Sequence, residues 1–164
     1  MTPHIAVPAL KAALERGASA RPRAGGFPYL AEALRQAGTT LCTMTVPSGA
    51  MLYVTDAGPV AVQGDPLISG MTDVPPFDRT ALLTALRADQ AGETSFPEFV
   101  RGCWEAGVVR YDVDLTGRTC VYRGARGETY TESYPAVDLP PPPLESPTRP
   151  SPLTSRGPRT TTTP

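Results

Sequence analysis

The sequence predicts an α+β domain made of two tandem helix-helix-β-hairpin(-strand) units related by a pseudo-two-fold axis, with an antiparallel sheet packed on helices and a disordered Pro-rich C-terminal tail. Three observations predict it. Stretches whose apolar residues recur at helical spacing are followed directly by stretches that alternate with a period of two. The same succession occurs twice, and sliding the chain by 69 positions superposes the two copies without a gap from Phe27 onward. Beyond Pro135 the composition turns to Pro, Thr, Ser and Arg, and large apolar residues almost vanish.

The first unit is expected over about residues 8–64. Leu10 and Leu14 mark its first helix, and GFPYLAEALRQAG its second, with Leu30 and Leu34 on the apolar stripe. After Gly38 the pattern changes to strands: Cys42, Met44, Val46, Met51 and Tyr53 alternate toward the core, and a third strand is expected around Val60 to Gln63. The second unit is expected over about residues 77–135. Asp78 is placed to cap its first helix, with Phe77 stapling onto Leu82. In SFPEFVRGCWEAG, Ser95 and Glu98 have capping-box spacing, Pro97 falls in the first turn where a missing N–H costs little, and Gly107 ends the helix. Phe96, Phe99, Val100, Cys103 and Ala106 form its apolar stripe. The following VVRYDVDLTGRTCVYRG reads as a hairpin turning at Thr116-Gly117; pairing Leu115 with Arg118 puts Tyr111, Val113, Leu115, Cys120 and Tyr122 on the covered face. A last strand is expected over Glu128 to Ser133.

The 69-residue slide lays Phe27-Pro28 on Phe96-Pro97, Ala37-Gly38 on Ala106-Gly107, Tyr53 on Tyr122 and Gly58 on Gly127. The folded part is therefore expected over residues 1–137. Residues 138–164, with Pro140 to Pro143 and Arg149, cannot bury enough surface to offset the entropy of ordering a backbone.

Composition excludes several classes of function. Lys plus Arg number 15 against 16 for Asp plus Glu. No bulk field therefore draws the chain to nucleic acid or an anionic membrane. No apolar run approaches the ~20 residues of a membrane span, and the opening MTPHIAVPALKAALERG has no signal-peptide pattern. The expected compartment is the cytoplasm. Three cysteines do not read as a disulfide framework.

The stretch from Arg87 to Pro135 resembles the YbcV-like family of small bacterial proteins of unknown function. Gln90-Ala91-Gly92, Phe96-Pro97-Glu98-Phe99, Ala106-Gly107-Val108, Tyr111, Val113-Asp114-Leu115, Tyr122, Gly124, Gly127-Glu128 and Glu132 carry the resemblance. The first unit resembles it less, with Tyr29 at the Glu98 position and Thr43 and Thr45 at the Asp112 and Asp114 positions. Members are sometimes labelled phage envelope proteins, and the resemblance implies a fold more than an activity.

The residues carry little chemistry. His4 is alone in a segment expected to fray, without the partner that base catalysis needs. Cys42, Cys103 and Cys120 fall on core faces, and no Cys/His cluster suggests zinc. DVDLTGRTCVYR imitates the start of a calcium loop, but its twelfth position is Arg123 where a bidentate Glu is required. No glycine-rich loop leads from a strand into a helix, so no cofactor is expected. What remains is the face of the second hairpin opposite the core. Alternation puts Arg110, Asp112, Asp114, Val121 and Arg123 there, and Glu128, Tyr130 and Glu132 are expected on the neighbouring strand of the same face. The corresponding face of the first unit, Leu41, Thr43, Thr45, Leu52, Val54 and Ala61, is far less polar. The expectation is a non-catalytic interaction or regulatory module that meets an unknown protein partner, or a second copy, through this face. The alternative is an enzyme using Asp112, Asp114 and Glu128 as carboxylates.

Overall fold

The computed structural model describes residues 5–143; His4 and the tail from residue 144 lie outside the described residues. The first unit comprises α1 (Ala6–Ala20), α2 (Phe27–Gln36), β1 (Thr39–Thr45), β2 (Ala50–Thr55) and β3 (Gly58–Gln63). The second comprises α3 (Arg79–Gln90), α4 (Phe96–Glu105), β4 (Val108–Asp114), β5 (Thr119–Gly124) and β6 (Thr129–Ser133). The strands form one antiparallel sheet in the order β3-β2-β1-β4-β5-β6, so the units meet where β1 pairs with β4.

Local chemistry accounts for the boundaries. The Asp78 carboxylate accepts from the Ala81 N–H at 3.0 Å, capping α3. Ser95 and Glu98 form the full capping box at α4, with Glu98 Oε2 accepting from the Ser95 N–H at 2.6 Å. Gly38 and Gly107 end the equivalent helices α2 and α4 with φ of 90° and 80°, a conformation that a Cβ would penalise.

Along each strand, alternate residues turn toward the helices. Cys42, Met44, Tyr53, Val60, Tyr111, Val113, Cys120 and Tyr122 join Leu10, Leu34, Leu82, Leu86, Phe99 and Cys103 in a single buried cluster. Tyr53 and Tyr122 hold equivalent, buried places, and the three cysteines are buried and free.

The junction is symmetric in detail. Cys42 pairs with Val113, Thr43 with Asp112 and Met44 with Tyr111, so the axis passes between Thr43 and Asp112. Register shifts fall between Thr39 and Leu41 in β1 and between Val108 and Arg110 in β4, at equivalent places. The carbonyls at those places are used symmetrically: Thr40 O accepts from the Leu115 N–H and Val109 O from the Val46 N–H, each at 3.0 Å.

Some expectations need correction. The β4–β5 loop contains four residues, Leu115 to Arg118, and its left-handed non-glycine residue is Arg118 with φ 53°. The Asp114 carboxylate accepts from the Thr116 and Gly117 N–H groups, which favours the longer loop over a two-residue turn while leaving the strand register unchanged. Phe96 sits on the helix-4 stripe by spacing but is 52% exposed, because it stands in the first turn beyond the edge of the core. Leu139 O accepts from Gln36 Nε2 at 2.8 Å, and Pro140 O from the Arg16 guanidinium. The chain therefore keeps contact with α1 and α2 past residue 137.

Candidate functional site

The sheet face opposite the helices is built from alternate residues of all six strands. At its centre stand Leu41, Thr43 and Thr45 of β1 beside Asp114, Asp112 and Arg110 of β4. On one side follow Val54, Leu52 and Ala50, then Pro59, Ala61 and Gln63. On the other side follow Val121 and Arg123, then Thr131 and Thr129.

Asp112 organises the charged half. Its Oδ1 accepts from Arg110 Nε at 2.9 Å and from Thr43 Oγ1 at 2.9 Å; its Oδ2 accepts from Arg110 Nη2 at 3.0 Å and from Arg123 Nε at 2.9 Å. The Asp112 side chain is 12% exposed, whereas Arg110 and Arg123 are 52% and 43% exposed. Partial burial alone would raise the Asp112 carboxyl, but hydrogen bonds from Arg110, Arg123 and Thr43 outweigh it and hold the group below the ordinary carboxylate range. An ionised carboxylate held on both oxygens is a poor proton carrier and a good structural anchor.

The structure brings together Arg110, Asp112, Arg123 and Val121, as the sequence predicts, and adds Thr43 from the other unit. It does not bring in the rest. Asp114 belongs to the face but its carboxylate is engaged on the hairpin loop. Tyr130 pairs with Tyr122 and Glu132 with Cys120, which places both on the helix side of the sheet. Glu128 is there too: its Oε2 lies where a Cβ on Gly124 would point, beside Phe77, and its Oε1 accepts from the Arg126 N–H. Glu128, Tyr130 and Glu132 are thus removed from the face, and Asp112, Asp114 and Glu128 make no common carboxylate site. The parity of β6 is set by the loop Ala125–Gly127, and β6 itself has no apolar stripe from which that parity could be read.

The thiols are no better placed for chemistry. Burial pushes Cys42 and Cys120 up to about 12, and Cys103 higher still, so none is a thiolate near neutrality. Among the described residues no group of His, Cys, Asp and Glu could hold a metal ion, and no helix is long and apolar enough to cross a membrane.

Sequence reasoning missed a cavity on the helix side. It has a volume of about 260 Å³, lies between the helices and the sheet, and is lined by residues that include Leu30, Tyr53, Phe99 and Tyr111, with Arg21 and Asp89. Arg21 and Asp89 are separated by 68 positions in the chain, and no local motif links them.

Comparison with known proteins places the chain beside others of unknown function. A family model described as "Protein of unknown function (DUF1398)" matches residues 19–133. An uncharacterized protein of Mycobacterium bovis (strain ATCC BAA-935 / AF2122/97) is 56% identical over 129 residues, covering 79% of this chain and 79% of the relative. An uncharacterized protein of Mycobacterium tuberculosis (strain ATCC 25618 / H37Rv) matches with the same identity and coverage.

Proposed function

The chain belongs to the DUF1398 family of proteins of unknown function, and from that premise we propose that it is a non-catalytic protein-interaction module whose docking surface is the open face of the sheet. One observation carries this reading: no described element covers that face. It is apolar on the β1–β2 side, where Leu52 is 41% exposed, and carries fixed charges on the β4–β5 side. Exposed apolar surface rimmed by ordered polar groups is the usual composition of a protein contact. Arg110 and Arg123 keep donors that Asp112 does not use, so a carboxylate on the partner suits that side.

Three finer points belong to the same reading. The residues that resemble YbcV-like proteins support placing the chain among them, with the phage or mobile-element setting that such labels suggest. The symmetric junction supports an internal repeat, with units at about 8–64 and 77–135. A cytoplasmic location fits the absence, among described residues, of a helix able to cross a membrane.

The test is a photoreactive residue placed at Leu52 in the full chain, followed by crosslinking in a native extract and by sedimentation of the pure protein. The reading expects a discrete crosslinked protein that is lost when Val54→Arg is added. A crosslink to a second copy, with sedimentation as a dimer, would identify the partner as the chain itself. Capture that survives Val54→Arg and Leu41→Arg together would exclude this face.

A further inference from the structure

The helix-side cavity is independent of the open face, and its construction points to an occupant. It lies across the pseudo-two-fold axis: Leu30 and Phe99, Cys42 and Tyr111, and Met51 and Cys120 are equivalent pairs, and all of them line it. The lining is mostly apolar and aromatic, the usual character of a small-molecule site. Its volume of about 260 Å³ equals roughly nine waters and lies just under the ~300–1,000 Å³ typical of ligand sites. A compact ligand is therefore required. Tyr111, 7% exposed, contributes its ring to this lining.

The opening selects charge. Arg21, Phe27 and Asp89 line both this cavity and an adjoining vestibule, to which Gln90, Glu132 and Tyr134 also contribute. Asp89 and Glu132 are partly buried, and neither forms a salt bridge among the described residues. Gln90 Nε2 donates to Glu132 Oε2 at a long 3.4 Å, and exposed Arg21 is the cation nearest Asp89 in effect. Two carboxylates against one guanidinium leave the mouth with a net negative charge. Desolvation raises both carboxyls; Arg21 partly offsets it at Asp89, and at Glu132 hydrogen bonds from Gln90 and Tyr122 oppose the further rise caused by Asp89.

We propose that the cavity binds a compact apolar amine, its hydrocarbon part between Leu30, Met51, Phe99 and Tyr111 and its ammonium group at Asp89 and Glu132. The aromatic rings at the mouth favour the same cation. Phe27 and Tyr134 stand edge to face there with centroids 5.2 Å apart. A carboxylate ligand would meet two like charges against the single guanidinium of Arg21, and a neutral hydrophobe would leave the excess negative charge of the mouth uncompensated.

The experiment is isothermal titration of the full chain with hexylamine, hexan-1-ol and hexanoate, matched in length and differing in charge. The proposal expects saturable hexylamine binding at least about tenfold tighter than hexanoate. Asp89→Asn with Glu132→Gln should remove the preference for the amine over the alcohol, and Arg21→Gln should strengthen amine binding. Leu30→Phe, which copies the equivalent Phe99 and fills the cavity, should weaken amine and alcohol alike; circular dichroism and the thermal midpoint report whether it folds. Hexanoate binding as tightly as hexylamine would overturn the proposal, as would amine binding unchanged by the carboxylate pair of substitutions or no saturable binding of any of the three compounds.

Discussion

Thr43 and Asp112 occupy equivalent positions 69 residues apart and are also paired with each other across the β1–β4 junction, Thr43 Oγ1 donating to Asp112 Oδ1 at 2.9 Å. The pseudo-two-fold axis therefore runs through a hydrogen bond whose two ends differ in chemistry. This contact links the units on the side away from the helices, and the guanidinium groups of Arg110 and Arg123, from the second unit, hold the Asp112 carboxylate that accepts it.

Removing Asp112 should be felt at that junction. Asp112→Ala is expected to cost about 1–2 kcal/mol in urea unfolding, a charge-assisted network discounted for the exposure of both arginines. Thr43→Val should cost about 1 kcal/mol or less, and the double variant should cost less than the sum because the residues share a bond. Strict additivity would show that the Thr43–Asp112 bond contributes nothing. Asp112→Arg should be worse than alanine, since it gathers three guanidinium groups.

Tyr122 and Tyr53 should behave as core residues despite their hydroxyls. Tyr122 is 5% exposed and its ring lies 5.5 Å from that of Tyr111, so Tyr122→Ala is expected to cost about 3–5 kcal/mol. Tyr53→Ala should fall in the same range. A measured cost under about 1 kcal/mol for either would contradict its packing.

The carboxylates on the two sides of the sheet should respond to pH with opposite sign. Asp112 has its folded value below the ordinary 3.8, so its stabilising contribution is present above the unfolded value and is lost as pH falls through the folded one. Asp89 and Glu132 have folded values above 3.8 and 4.5, so they destabilise once ionised, and that penalty fades as pH falls below their ordinary values. Asp89→Asn with Glu132→Gln should therefore stabilise the chain at about pH 7 and give little advantage near pH 4. Chemical unfolding at both pH values checks this; an equal gain at both would remove the electrostatic explanation.

The thiols should be silent in the native protein. With Cys42 and Cys120 pushed up to about 12 and all three buried, labelling by a thiol-specific disulfide reagent should be slower than for an unfolded thiol by on the order of a thousandfold. Labelling followed at rising denaturant should track global unfolding. Rapid reaction of one cysteine in buffer would reveal local opening around it.

Much of this architecture was legible because several signals coincide. Capping at Asp78 and Ser95, the helix-ending Gly38 and Gly107, and the alternation through Tyr111, Val113, Cys120 and Tyr122 each constrain the chain locally, and all agree with the fold. The face carrying Arg110, Asp112 and Arg123 followed from the same alternation. Legibility failed where the pattern carries no hydrophobic contrast. In β6, Tyr130 and Glu132 oppose Thr129, Thr131 and Ser133, and neither set is apolar enough to choose the core side. The cavity was out of reach for another reason: its walls come from both units, and which side chains leave space between them is a property of packing.

The asymmetry at the axis is something that only a continuous chain allows. A homodimer of either half would be forced to place like on like, two threonines or two aspartates, and a pair of facing carboxylates would repel. Covalent joining lets one partner become the donor and the other the acceptor. It equally lets Leu30 oppose Phe99 and Cys42 oppose Tyr111, so a chamber on a two-fold axis can present a differently shaped wall on each side and hold a guest that has no symmetry of its own.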